Sequence, residues 1–293
     1  MKQGTHLKAE LILVSVTVLA GLGWIFSKEA LAGLPPLFFM GARFLIAGFV
    51  LVLAGRRFFS GLAWHDVKKA ILVGVVMGVA MAFWISGLDK ASNLGVGAFI
   101  TSLGVVLVPV FGRFIFKDHP PKSIWVALPV AILGLGFLAL GNGVSYEVAQ
   151  LLFLGSALTF ALQFNLLSKL STRIHVLVLT AIQLMVAGAF LLALSLFTES
   201  LPVSVSIGVA GWFLASTLIA TSLRFLLQTY GQSLTPTSHA AVIMNLEPVW
   251  TAFFAALWFS EAMSLFQFVG CGLIFLAMLI SRWTQIRAIF TPS

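Results

Sequence analysis

Ten apolar runs of about 20 residues each follow one another along the chain, near residues 10 to 28, 35 to 54, 69 to 87, 93 to 116, 123 to 141, 148 to 168, 175 to 197, 206 to 230, 236 to 259 and 264 to 283. A helix of that length crosses the hydrocarbon core of a bilayer, about 30 Å thick. Only short pieces separate the runs, such as Pro35-Pro36, Gly141-Asn142-Gly143 and Ser260 to Ser264, and none is large enough for a separate soluble domain. Composition agrees. Charged residues make up 9% of the chain and hydrophobic ones 60%, with a mean hydropathy of +1.08, whereas a soluble domain carries roughly 25% charged residues. The expectation is an all-α integral membrane protein with ten transmembrane helices. The amino-terminal run continues past a possible cleavage region at Ala20 and Gly21 to Ser27, so it reads as an uncleaved first helix.

The net charge of +8 does not indicate a nucleic-acid partner, because the basic residues punctuate the apolar runs and do not gather on one stripe. Their placement sets orientation. With the amino terminus in the cytoplasm, Lys2, Lys8, Arg56, Arg57, Lys68, Lys69, Arg113, Lys117, Lys122, Lys169, Arg173, Arg282 and Arg287 fall on the cytoplasmic side, against Lys28 and Lys90 opposite. That is a strong positive-inside bias, and it puts both termini in the cytoplasm of a multi-pass protein of the inner (plasma) membrane. The acidic residues divide evenly, Glu10, Asp66, Asp118 and Glu261 against Glu29, Asp89, Glu147 and Glu199. Asp118 and Glu261 are read as solvated charges at cytoplasmic helix ends. Only Arg43, Arg224 and Glu247 lie within spans.

A duplication runs through the chain. A shift of 143 aligns GVGAFITSL (Gly95 to Leu103) with SHAAVIMNL (Ser238 to Leu246), and a shift of 140 aligns ARFLIAG (Ala42 to Gly48) with IQLMVAG (Ile182 to Gly188). This divides the chain into residues 1–142 and 143–293, five helices each. Five is odd, so the second half enters the membrane from the opposite side, an inverted repeat of the kind that places a substrate site at the repeat interface.

The stretch TPTSHAAVIMNLEPVWTAFFAALWFSE, Thr235 to Glu261, carries His239, Asn245, Glu247 and Pro248 inside an apolar run. An ionisable group at bilayer depth costs roughly 2.5 to 3.5 kcal/mol on insertion scales, and the proline removes a backbone donor. Such broken helices are tolerated beside a water-filled space. A polar site near the membrane midplane is expected there, with Glu247 close to the middle of its span.

The segments GLPPLFFMGARFLIAG, GAFITSLGVVLVPVFGRFIFKDHPPKSIW, RFLLQTYGQ and SHAAVIMNLEPVWTAFFAALWFSEAMSLFQFVG resemble, in order and over both halves, the EamA-type family of the drug/metabolite transporter superfamily. The resemblance implies a ten-helix inverted-repeat transporter of amino acids, nucleosides, sugars or other metabolites, often moving them outward. It also implies a central cavity lined by the first four helices of each half, with the fifth and tenth helices at the periphery. Many relatives have a Trp-Gly pair in the first helix where this chain reads Ala20-Gly21, with Trp24 a turn later.

Within that frame the candidate binding residues are Glu247, Arg43, Gln163, Asn245, Trp24, Trp84, Arg224 and His239. Glu247 suits a proton or a cationic amine, or it pairs structurally with Arg43. Arg43, whose repeat counterpart is Gln183, suits a carboxylate through its planar fork, or it neutralises Glu247. Arg224 lies on a polar stripe with Thr217, Thr221 and Gln228, facing either the interior or, by snorkelling, the interface. His239 titrates near neutrality or is simply solvated. Gln163 and Asn245 are read as cavity polar groups. Trp24 and Trp84 fall toward helix ends, where aromatic belts occur, or else form a platform for substrate. Gly74 and Gly78 permit close helix contact.

There is no Gly-x-x-x-x-Gly-Lys loop and no metal-hydrolase spacing, so neither an ATPase nor a metalloenzyme is expected, and no cofactor. The single Cys271 forms no disulfide framework. The expected activity is alternating-access transport of a small polar metabolite, an amino acid or related compound, with export favoured, protons as a candidate coupling ion, and a monomer or homodimer as the working unit. The competing readings are proton-coupled efflux of hydrophobic cations and, from another class, an enzyme acting on lipid-linked substrates.

Overall fold

A backbone in hydrocarbon has no water to bond to, so each apolar run must satisfy its own N–H and C=O groups as a helix. The computed structural model describes residues 3–59, 62–117, 122–141, 147–171, 174–200, 204–224, 227–228, 243–244, 246–281 and 283. Among them are ten α-helices, α1 (Gln3–Ala30), α2 (Pro36–Gly55), α3 (Trp64–Lys90), α4 (Leu94–Phe116), α5 (Ser123–Gly141), α6 (Val148–Ser171), α7 (Val176–Thr198), α8 (Ile207–Thr217), α9 (Glu247–Phe259) and α10 (Leu265–Ser281). Helix α8 continues as a π-helical segment, Leu218–Leu223. Helices α1, α2, α3, α4, α6 and α7 are long and apolar enough to cross a membrane, while α5, α8 with its π segment, and α10 are shorter apolar helices. Large apolar side chains such as Phe49, Leu53, Phe114, Ile132, Phe197 and Phe268 point outward, as a lipid-facing surface requires. The boundary at residues 142 and 143 falls outside the described residues.

The helix contacts carry the duplication into three dimensions. Helix α2 packs along α7, α5 against α10, and α4 against α9, each pairing equivalent helices of the two halves. Two further pairs exchange under the same operation: α3 with α6 becomes α8 with α1, and α4 with α6 becomes α9 with α1. Close approach at the α2/α7 seam depends on glycine. A Cβ on Gly41 would lie 3.0 Å from the carbonyl oxygen of Gly188, and one on Gly188 would lie 2.9 Å from that of Gly41. The Gly74 and Gly78 pair does what its spacing predicts, holding α3 so close to α7 that added Cβ atoms would come within 2.6 Å of Val186 and 2.7 Å of Phe190.

Two sequence expectations are corrected. Glu261 belongs to the end of the bundle that carries Lys28, where its Oε2 accepts the Leu94 N–H at 2.8 Å and caps α4. Helix α9 runs toward that end, which the loop assignment overlooked. Glu247 heads helix α9 just after a turn at Leu246, the break expected at Pro248; the proline occupies the first turn, where its missing N–H costs nothing, and the carboxylate suits the positive helix end. Trp24 and Trp84 are buried, 4% and 8% exposed, and do not lie in a belt. The tryptophans that do face outward near helix ends are Trp64, Trp125, Trp258 and Trp283.

Polar contacts tie the Lys28 end together. Lys28 Nζ donates to the carbonyls of Leu88, Asp89 and Ala91 at the end of α3. The Glu199 carboxylate, just past α7, accepts the Leu37 and Phe38 N–H groups at the start of α2. Ser92 donates to Glu147, and Trp258 Nε1 to Glu29. Lys28 and Glu199 answer backbone groups left open at helix termini or a neighbouring loop, while Glu147 and Glu29 accept from side chains.

Candidate functional site

Where the two halves meet, α1 to α4 and α6 to α9 surround a cavity of about 290 Å³, and α5 and α10 contribute nothing to its wall among the described residues. Its floor, toward the Lys28 end, is aromatic. The Trp24 ring meets Trp84 edge to face at 4.8 Å and tilts against Phe153 at 5.6 Å. From that floor the lining runs to Leu167 and Gln228. Leu167 packs against the same buried cluster as Phe58 and Phe59, so the cavity extends toward the end that carries Arg56 and Arg57.

Arg43, Arg224 and Glu247, the three charged residues within the spans, all reach this one space. Glu247 is not paired with Arg43. Its Oε2 accepts from Arg224 Nη2 at 3.1 Å, and its Oε1 accepts from Trp24 Nε1 at 3.3 Å. Arg43 is instead held by neutral oxygens, Nε donating to Thr221 Oγ1 and Nη1 to Ser27 Oγ at 2.9 Å, with the guanidinium 5.9 Å from the Phe39 ring centroid. It is buried, at 7% exposure.

The π-helical turn explains this placement. The hydroxyls of Thr221 and Ser222 each donate to the carbonyl five residues back, on Ser216 and Thr217, at 3.0 Å. The wider turn sets Thr221 against Arg43 while Arg224 reaches Glu247 one turn later. Inserted π turns of this kind recur at functional sites. Thr221, Arg224 and Gln228 from the predicted stripe all line the cavity. Arg224 therefore faces inward, and the snorkelling alternative is set aside.

Gln163 is buried on the opposite wall, and its Nε2 donates to Gln183 Oε1 at 2.9 Å. Gln183, the counterpart of Arg43 in the repeat, donates in turn to the Met77 sulfur. Met40, Met77 and Met81 supply thioether surface beside Trp84. Sequence reasoning passed over Ser27 and these methionines. Ser27 follows Trp24 by three residues and so shares its helix face, a signal that was present; the methionines are indistinguishable in sequence from core residues. Asn245 and His239 lie outside the described residues.

Comparison with known proteins places this architecture. The family described as "EamA-like transporter family" matches residues 7–140 and again residues 148–283. An uncharacterized transporter of Archaeoglobus fulgidus is 29% identical over 275 residues, covering 94% of this chain and 86% of its own. The uncharacterized transporter YvbV of Bacillus subtilis is 28% identical over 239 residues, 75% of this chain and 78% of its own. A protein known from its crystal structure superposes with a TM-score of 0.66 over 98% of this chain and 99% of its own, at 16% identity, a likeness in fold alone.

Proposed function

Because the chain belongs to the EamA-like transporter family and is a multi-pass membrane transporter, we propose that its central cavity binds a small polar metabolite, an amino acid or a related compound, and releases it on the other side by alternating access. The observation that carries this reading is the convergence of Arg43, Arg224 and Glu247 on one cavity at the seam of the two halves. Ion and substrate sites at such seams are how inverted-repeat transporters work. Arg43 would take a substrate carboxylate. Glu247, which heads α9, would meet the amine or exchange a proton, with Gln163 and Asn245 orienting the rest. The Trp24 and Trp84 rings would form the platform. By the basic-residue rule the Arg56 end is cytoplasmic, so the described state faces the cytoplasm, in keeping with export.

Glu247→Gln in reconstituted vesicles tests the assignment. The change keeps size and hydrogen bonding but removes the charge that meets Arg224. Transport should fall by about two orders of magnitude, the scale of losing a buried charge partner worth roughly 3 kcal/mol, while the purified protein keeps its helical content. Unchanged transport would remove Glu247 from the mechanism. The aromatic and thioether lining supports a second reading, efflux of hydrophobic cations in exchange for protons at Glu247. Resistance conferred on a sensitive host would favour it.

A further inference from the structure

The charge inside the bundle does not balance. Every charged residue other than Arg43, Arg224 and Glu247 lies at a helix end or in a connection, and these three share the cavity. Arg224 and Glu247 neutralise one another at 3.1 Å. Arg43 is left with one full positive charge, surrounded by hydroxyls and a phenyl ring. Neutral oxygens satisfy two of its five N–H groups but cancel none of its charge. Among the described residues Nη2 has no hydrogen-bond partner, and the guanidinium faces the cavity it lines. The other cation lining the cavity, Arg224, offers it no counter-charge. A buried cation without a counter-charge from the protein is strongly disfavoured, so the group that suits this cavity is an anion.

We infer that the cargo carries a net charge of minus one, a small carboxylate without a compensating ammonium group, seated with its carboxylate on Arg43 and its apolar body against Trp84, Met77 and Met81. This rests on the transport reading but replaces its amino-acid cargo with an anion that leaves Glu247 on Arg224. A zwitterion would leave the excess charge in place, and a cation would double it. Thr221 and Ser27 act as positioning residues, since they hold Nε and one edge of Nη1 and so turn the remaining edge of the fork toward the cavity. The Arg224 and Glu247 pair stays intact when such a cargo binds.

Three probes that share one body separate the possibilities: 3-phenylpropanoate, phenylalanine and 2-phenylethylamine, bearing charges of minus one, zero and plus one. Their binding to the purified full chain is measured by titration calorimetry at low and high chloride, and their movement is followed in reconstituted vesicles. The anion should bind about ten-fold or more tighter than phenylalanine, a difference of about 1.4 kcal/mol, with the amine weakest. Arg43→Gln should abolish that preference, and Thr221→Ala should weaken the anion while Thr221→Ser restores it. If Arg43→Gln fails to fold, the Thr221 pair still decides, because a merely structural hydroxyl would not alter the ranking of the three probes. Phenylalanine binding as tightly as the anion, no binding by any probe, or an anion signal erased by chloride alone would overturn the inference. The transport reading fails separately, if probes bind but none crosses the vesicle membrane.

Discussion

Trp24 is where a single side chain does two things at once. Its ring closes the cavity floor against Trp84, and its N–H reaches the Glu247 carboxylate 223 residues away in sequence. A tryptophan toward a helix end reads as a belt residue, because sequence shows depth along the helix and not which face is turned inward. Trp24→Phe keeps an edge for Trp84 and deletes the donor. A polar contact between membrane helices is worth about 0.6 kcal/mol on average, so the cargo concentration for half-maximal counterflow should rise about threefold. No change would mean that the 3.3 Å contact is incidental. The three in-span charges were legible because charge in oil stands out. Their pairing was not: the sequence offered Arg43 as the partner of Glu247, and the π turn that brings Arg224 there instead has no signature in the sequence.

At the level of elements, the boundaries of α2, α4, α5, α6, α7 and α10 follow the apolar runs closely, since in hydrocarbon a run of apolar residues has little choice but helix. The amphipathic detail was less legible, because a helix buried on one side and lipid-facing on the other is apolar all round. Small residues fill that gap. Gly74→Val would drive branched carbons into Val186, whose Cβ already stands 2.6 Å from the position of a new Cβ. The purified protein should lose about 1 to 3 kcal/mol of stability, the usual cost of overpacking, seen as a lower apparent melting temperature. An unchanged melting temperature would show that the α3/α7 seam is loose.

The cap that Glu261 places on α4 gives a pH signature. Burial pushes its carboxyl above the ordinary carboxylate range, and the Leu94 and Gly95 N–H groups and Lys28 pull it part of the way back. The folded chain therefore holds this proton more tightly than the unfolded chain. As pH rises from the ordinary value through the raised one, the unfolded chain ionises first, and the Glu261 contribution to stability declines. Melting curves taken across that window should show the decline, and Glu261→Gln should flatten it. An identical slope in the variant would dissociate Glu261 from the effect.

The whole molecule is two threaded halves whose equivalent helices meet pairwise, with a cavity on the axis between them. The duplication was readable from two short alignments and an odd helix count, and the pairing of α2 with α7, α4 with α9 and α5 with α10 repeats it. The state of the molecule was not readable, since the proposed alternating cycle would require the same sequence to support both faces. In this one the Lys28 end is tied by caps that bridge α1 with α3, α7 with α2, and the α9/α10 connection with α4, while the cavity reaches toward Leu167 and Gln228. Rearranging those caps is the step that would expose the floor at Trp24 to the other side. The most direct test places a cysteine at Gln163, on the wall of the cavity, in a chain whose native Cys271 is replaced by serine, and labels oriented vesicles from each side with a membrane-impermeant maleimide. The account predicts labelling from both sides, one at a time, with a bound cargo slowing both reactions; a residue unreachable from either side under every condition would contradict it.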